Sequence, residues 1–185
     1  MEALLVSTVV VALAEMGDKT QLLAFVLAAK FKRPWPILLG ILVATLANHA
    51  LAGVVGVWLA GVMTPEVLRW VVAASFIGFG LWTLVPDKLE AVPAERAASV
   101  FLTTLVAFFL VEMGDKTQLA TVALAARYEM LAAVVAGTTL GMLLANAPAV
   151  WLGERLSRVV DMRVMRWVAA SSFVLLGLAT LLLRP

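Results

Sequence analysis

Residues 15–21 and 112–118 spell the same heptapeptide, Glu-Met-Gly-Asp-Lys-Thr-Gln, at an offset of 97 residues. Each copy lies near the centre of a long apolar run, residues 3–29 and 99–126. At that depth in a bilayer an ionisable side chain costs about 2.5–3.5 kcal/mol on insertion scales. Each copy places three such groups there. A chain that keeps both copies must build a fold in which two polar centres face protein or water, never lipid.

The rest of the chain supplies that fold. Four more apolar runs cover residues 35–59, 67–85, 130–152 and 164–183. With 63% hydrophobic residues and a mean hydropathy of +1.03, the chain exceeds the roughly 45–50% apolar share of soluble domains. A spanning helix takes about 20 apolar residues, so 185 residues hold six spans and no soluble domain beside them. The runs are long, continuous and rich in Ala and Leu, which favours helices over the short alternating segments of a barrel. The first run follows Met1-Glu2 directly and contains Glu15, Asp18 and Lys19. It reads as a retained helix and not as a cleaved signal peptide.

The 97-residue offset also aligns Arg69-Trp70-Val71 with Arg166-Trp167-Val168, Ser75-Phe76 with Ser172-Phe173, Gly80-Leu81 with Gly177-Leu178, and Gly40 with Gly137. The repeat thus covers three helices in each half. An odd number of spans returns the chain to the other side, so the second copy enters the bilayer upside down. The expected fold is an all-α polytopic membrane protein, six transmembrane helices in two inverted three-helix repeats, as in many secondary transporters. The halves are residues 1–85 and 99–185, joined by a polar linker over 86–98 holding Asp87, Lys88, Glu90, Glu95 and Arg96.

Lys and Arg counts orient the chain. Lys30, Lys32, Arg33, Lys88, Arg96, Arg155, Arg158, Arg163 and Arg166 fall on one side, and only Arg69, Arg127 and Arg184 on the other. The first side is expected to be cytoplasmic, with the linker there and both termini outside. Trp58, Trp70, Trp151 and Trp167 at helix ends suit an interfacial belt. The stretch 154–166 reads as an interfacial turn or short helix, and Gly137-x-x-x-Gly141 as a packing face.

The motifs carry the chemistry. In a continuous helix Glu15 and Asp18 share a face at i, i+3, and Gln21 extends it. Glu112, Asp115 and Gln118 repeat the pattern. Inversion would bring the faces together as four carboxylates and two amides near the midplane. Such hard oxygen donors suit Mn²⁺, Ca²⁺ or Mg²⁺. Thr20 and Thr117 can add hydroxyl oxygens or bond the backbone. Lys19 follows Glu15 by four residues, and Lys116 follows Glu112 likewise, a spacing for ion pairs within each motif. Four negative and two positive groups leave −2, which one divalent cation or two protons would neutralise. Gly17 and Gly114 would allow a local break that frees carbonyls. Asn48 and His49 in the second run, and Asn146 in the fifth with Pro148 beyond it, are candidate contributors from neighbouring helices. Asn146 stands one residue out of register with Asn48, and His49 has no copy in the second half. Met16 and Met113 read as packing residues. A buried ion-pair network that only joins helices would not need six ionisable groups in two identical copies.

Other chemistries find no support. The chain has no cysteine and one histidine, which excludes disulfides, thiolate sites and multi-histidine metal centres. No separate nucleophile serves a membrane metalloenzyme, so no enzyme activity and no catalytic residue are expected. A net charge of +2 offers no nucleic-acid surface. A divalent-cation channel would use the same acidic site with uncoupled flux.

The duplicated heptapeptide in a six-helix chain resembles the signature of the manganese/calcium cation–proton antiporter family, over nearly the whole chain. The resemblance implies that Glu15, Asp18, Glu112 and Asp115 bind the cation, with Lys19, Thr20, Gln21, Lys116, Thr117 and Gln118 completing the motifs. It implies Mn²⁺ or Ca²⁺ as transported substrate, not cofactor, and protons as the counter-ion. Without an N-terminal extension the chain looks like a compact prokaryotic form, which favours manganese export at the plasma membrane.

Overall fold

A computed structural model describes residues 1–85, 99–152 and 162–182. The linker over 86–98, most of the 154–166 stretch and Arg184 lie outside the described residues. All regular structure among the described residues is helical: α1 (Glu2–Glu15), α2 (Lys19–Phe31), α3 (Pro34–Val62), α4 (Pro65–Thr83), α5 (Val100–Glu112), α6 (Lys116–Tyr128), α7 (Leu131–Leu152) and α8 (Met162–Leu182). Three of these, α3, α4 and α7, are each long and apolar enough to cross a membrane.

The expectation of a continuous helix through each motif is corrected. The chain leaves helical geometry at Met16 and Met113, both extended, and turns through Gly17 (φ 84°) and Gly114 (φ 77°). It re-enters at Asp18 and Asp115, the N-caps of α2 and α6. A left-handed φ is costly for any residue with a Cβ and free for glycine, so the glycine in each heptapeptide sets where the helix breaks. Each half-helix is then 13 or 14 residues long, too short to span alone.

Other boundaries follow local chemistry. Pro34 opens α3 and Pro65 opens α4, where a missing N–H removes nothing. Thr64 caps α4 by accepting from the Val67 N–H, and Ser99 caps α5 by accepting from the Leu102 N–H at 3.1 Å.

The first helix of each half packs according to the 97-residue offset. Helix α1 lies against α7, and its equivalent α5 lies against α3. Small residues allow both approaches. A methyl on Gly137 would sit 2.5 Å from the Leu4 carbonyl oxygen, and one on Gly40 would sit 2.9 Å from that of Phe101, the equivalent residue. Gly141 presses on Thr8 in the same way, so the Gly137/Gly141 face packs onto the α1 backbone. Helices α4 and α8 pair with each other, Gly80 against Ala170 and Gly177 against Ala73. Phe76 and Phe173 stack at the centre of that pair. Leu5, Leu51, Leu144, Leu175 and Leu182 are exposed, as befits a surface whose solvent is lipid. Trp58, Trp70, Trp151 and Trp167 are exposed at helix ends.

Candidate metal centre at the two helix breaks

The breaks bring the two motifs together. Glu15 ends α1 and Glu112 ends α5; Asp18 and Asp115 begin α2 and α6. All four carboxylates are buried, none more than 2% exposed. Carboxylate oxygens of Glu15, Glu112 and Asp115 lie within 4.8 Å of one another, a spacing that can hold a metal ion. Glu15 Oε1, Glu112 Oε1 and Asp115 Oδ2 have no hydrogen-bond partner. Buried carboxylate oxygens without donors are costly, and a cation is the natural group to satisfy them.

The motif lysines do not pair as the helical spacing suggests. Lys19 Nζ lies 2.8 Å from Asp115 Oδ1, and Lys116 pairs with Asp18. Both ion pairs cross between the halves. The reason is the break: an i, i+4 pair needs the continuous turn that Gly17 and Gly114 remove. The Asp side chains take the N-cap position of α2 and α6 but make no capping hydrogen bond to their own helix.

Other motif residues hold the breaks in shape. Thr20 Oγ1 donates to Glu15 Oε2 at 2.5 Å, and Thr117 Oγ1 donates to Glu112 Oε2 at 3.2 Å. Each threonine ties the half-helix after the break to the carboxylate before it. The Gln21 amide oxygen accepts from the Gly17 N–H at 2.9 Å, and that of Gln118 from the Gly114 N–H at 2.7 Å. This resembles the reach-back half of a capping box, with the acceptor three residues into the helix. Gln21 Nε2 also donates to the Ala145 carbonyl at 2.9 Å. Both amides thus serve the turns, where helical continuity would have placed them on the carboxylate face.

The neighbouring helices add polar groups. Asn48 Nδ2 donates to the Phe109 carbonyl at 3.0 Å, one turn before the end of α5. Asn146 Nδ2 donates to the Met142 carbonyl at 3.0 Å. The amide oxygens of Asn48 and Asn146 are buried without partners. His49 is fully buried with neither ring nitrogen bonded, and it is not one of the three clustered ligands. In the 97-residue register its equivalent is Asn146. Met16 is half-buried and Met113 is 54% exposed.

The residue pattern does not identify the partners of the crossed lysines or the carbonyl that Asn48 bonds. Both depend on how the halves dock. The glycine between two acids was the available signal for the break.

Known proteins match this chain along most of its length. The family profile described as divalent cation/proton antiporter GDT1 matches residues 3–91 and 100–184. A Vibrio cholerae serotype O1 protein named "Putative manganese exporter" is 46% identical over 181 residues, covering 97% of this chain and 90% of its own. "GDT1-like protein 5" of Arabidopsis thaliana is 28% identical over 209 residues, covering 92% and 91% respectively. No solved structure matches the chain. A membrane chain with two acidic breaks, matched along both halves, belongs to the GDT1 family of divalent cation/proton antiporters.

Proposed function

We propose that this chain exports Mn²⁺, and Ca²⁺ to a lesser extent, in exchange for protons across the plasma membrane. One observation carries the reading: three buried carboxylates from both halves converge within 4.8 Å with unpartnered oxygens. Oxygen donors of this kind suit Mn²⁺ and Ca²⁺, and the Vibrio relative's name favours Mn²⁺.

In this reading Glu15, Glu112 and Asp115 take the cation first. Asp18 joins when Lys116 swings aside, and the Asn48 and Asn146 oxygens complete the shell. Lys19 and Lys116 act as tethered counter-ions that neutralise the aspartates while the cation is away. Gln21 and Gln118 keep the breaks shaped. The net −2 of the centre is answered by one divalent cation or two protons, so loading one expels the other.

The same reading makes α1–α2 and α5–α6 two broken spans, giving six spans in two inverted halves, 1–85 and 99–185. The reciprocal helix packing and crossed ion pairs support it. The basic-residue bias puts the linker inside and both termini outside.

Cells lacking their own exporter test the assignment. Glu112→Gln or Asp115→Asn, present in the membrane at wild-type level, should lose manganese tolerance and accumulate the metal. Wild-type tolerance in either variant overturns the reading.

A further inference from the structure

Equivalent surfaces of the two halves are not equally covered. At one end of the molecule α1 packs against α8 and α6 against α4. The equivalent pairs under the 97-residue offset, α5 with α4 and α2 with α8, lack comparable packing among the described residues. Residue by residue the difference follows one face. On α6, Ala123 is 5% and Ala126 2% exposed; their equivalents on α2 are Val26, 40% exposed, and Ala29, also exposed. Leu110 on α5 and Met113 just after it are exposed, whereas Leu13 on α1 and Met16 just after it are half-buried.

The covered end is also fastened. The Arg127 guanidinium donates to Thr180 Oγ1, and Tyr128 OH donates to Glu2 Oε1 at 3.3 Å. These bonds tie the end of α6 to α8 and α1. They border a cavity of about 910 Å³, and at its floor Val72 packs with Phe76, Leu124 and Phe173, each 3% exposed or less.

The other end carries the same parts, unjoined, with Thr83 1% exposed. Lys30 and Phe31 occupy the places of Arg127 and Tyr128, and Lys30 Nζ sits over the Phe31 ring at 5.4 Å as Arg127 sits over Tyr128 at 5.5 Å. Thr83 occupies the place of Thr180. Its hydroxyl donates to the Phe79 carbonyl as that of Thr180 does to Leu176. Lys30 is exposed.

From this mismatch we infer that the α4–α8 pair is a two-position gate: closed here on α1 and α6 through Arg127–Thr180, and closed in the other state on α2 and α5, with Lys30 meeting Thr83. Two nearly equivalent halves permit two packings related by exchange of their roles. This inference rests on the antiport reading for its purpose. The orientation assigned there puts the fastened end outside and the unfastened end at the cytoplasm.

The chain has no cysteine, so thiol pairs can be introduced directly. Arg127→Cys with Thr180→Cys, and separately Lys30→Cys with Thr83→Cys, are treated with a short bifunctional methanethiosulfonate in proteoliposomes. Both pairs should cross-link. Each cross-link should stop Mn²⁺ flux, and reductant should restore it. Arg127→Ala, which unfastens the covered end, should raise the Lys30–Thr83 yield. Cross-linking is read on a gel whether or not a variant transports. Failure of the Lys30–Thr83 pair to cross-link, an unchanged yield with Arg127→Ala, or undiminished flux in cross-linked protein overturns the gate. Absence of Mn²⁺ flux in the unmodified protein instead overturns the antiport reading.

Discussion

Lys19 of the first half holds Asp115 of the second at 2.8 Å, although Glu15 stands four residues before it in its own motif. The reciprocal pair, Lys116 with Asp18, is almost wholly buried. Each motif therefore neutralises an aspartate of the other, and the two helix breaks are parts of one centre. A double-mutant cycle on Lys19→Met and Asp115→Asn should give a coupling of about 1 kcal/mol or more, within the range for contacting residues. The cycle on Lys19→Met and Glu15→Gln should give a smaller value. Thermal unfolding in detergent reads both.

The carboxylate cluster is expected to cost stability. Like charges held together without solvent oppose folding, and functional centres of this kind trade stability for activity. Glu112→Gln should therefore melt no lower than wild type while losing metal flux. A purely structural network would lose stability in the same variant, so melting temperature and flux measured on one preparation separate the two.

The glycines fail by two routes. Gly114→Ala meets no atom within 4 Å, so its cost is the left-handed backbone alone, about 1–2 kcal/mol. Gly114→Asn should recover part of that, since Asn tolerates the conformation better. Gly137→Ala has an ordinary helical backbone but meets the Leu4 carbonyl at 2.5 Å, and Asn there should be worse than Ala. Opposite orders of Ala and Asn at the two positions, read from unfolding, check the distinction.

The glutamines should differ in stability. Gln21 is 8% exposed and serves both the Gly17 N–H and the Ala145 carbonyl, so Gln21→Met leaves two backbone groups short. About 1–3 kcal/mol is expected from the desolvated groups left behind. Gln118 is less buried and serves the Gly114 N–H, so Gln118→Met should cost less. Equal losses would contradict the capping role.

Much of the architecture is legible from hydropathy and self-similarity. Residues 35–59 and 130–152 are close to the helices Pro34–Val62 and Leu131–Leu152, because uninterrupted apolar runs leave few other choices in lipid. The motif carboxylates are legible because charge in such runs is costly. What the sequence does not settle is local geometry at the motif. An i, i+3 pattern reads as one helix face only if the backbone stays helical, and a single left-handed glycine decides that. The destination of Lys19 was hidden for a related reason: its partner is Asp115, 96 positions away, and only docking of the halves selects it over Glu15.

Coupled exchange through the shared centre is tested most directly in sealed liposomes carrying the purified protein and an internal pH reporter. Mn²⁺ added outside should enter and make the lumen more alkaline as protons leave. An acid-inside gradient should speed entry, and Glu112→Gln should abolish both signals. Mn²⁺ entry at the same rate with and without the gradient, and with no change in internal pH, would contradict the account.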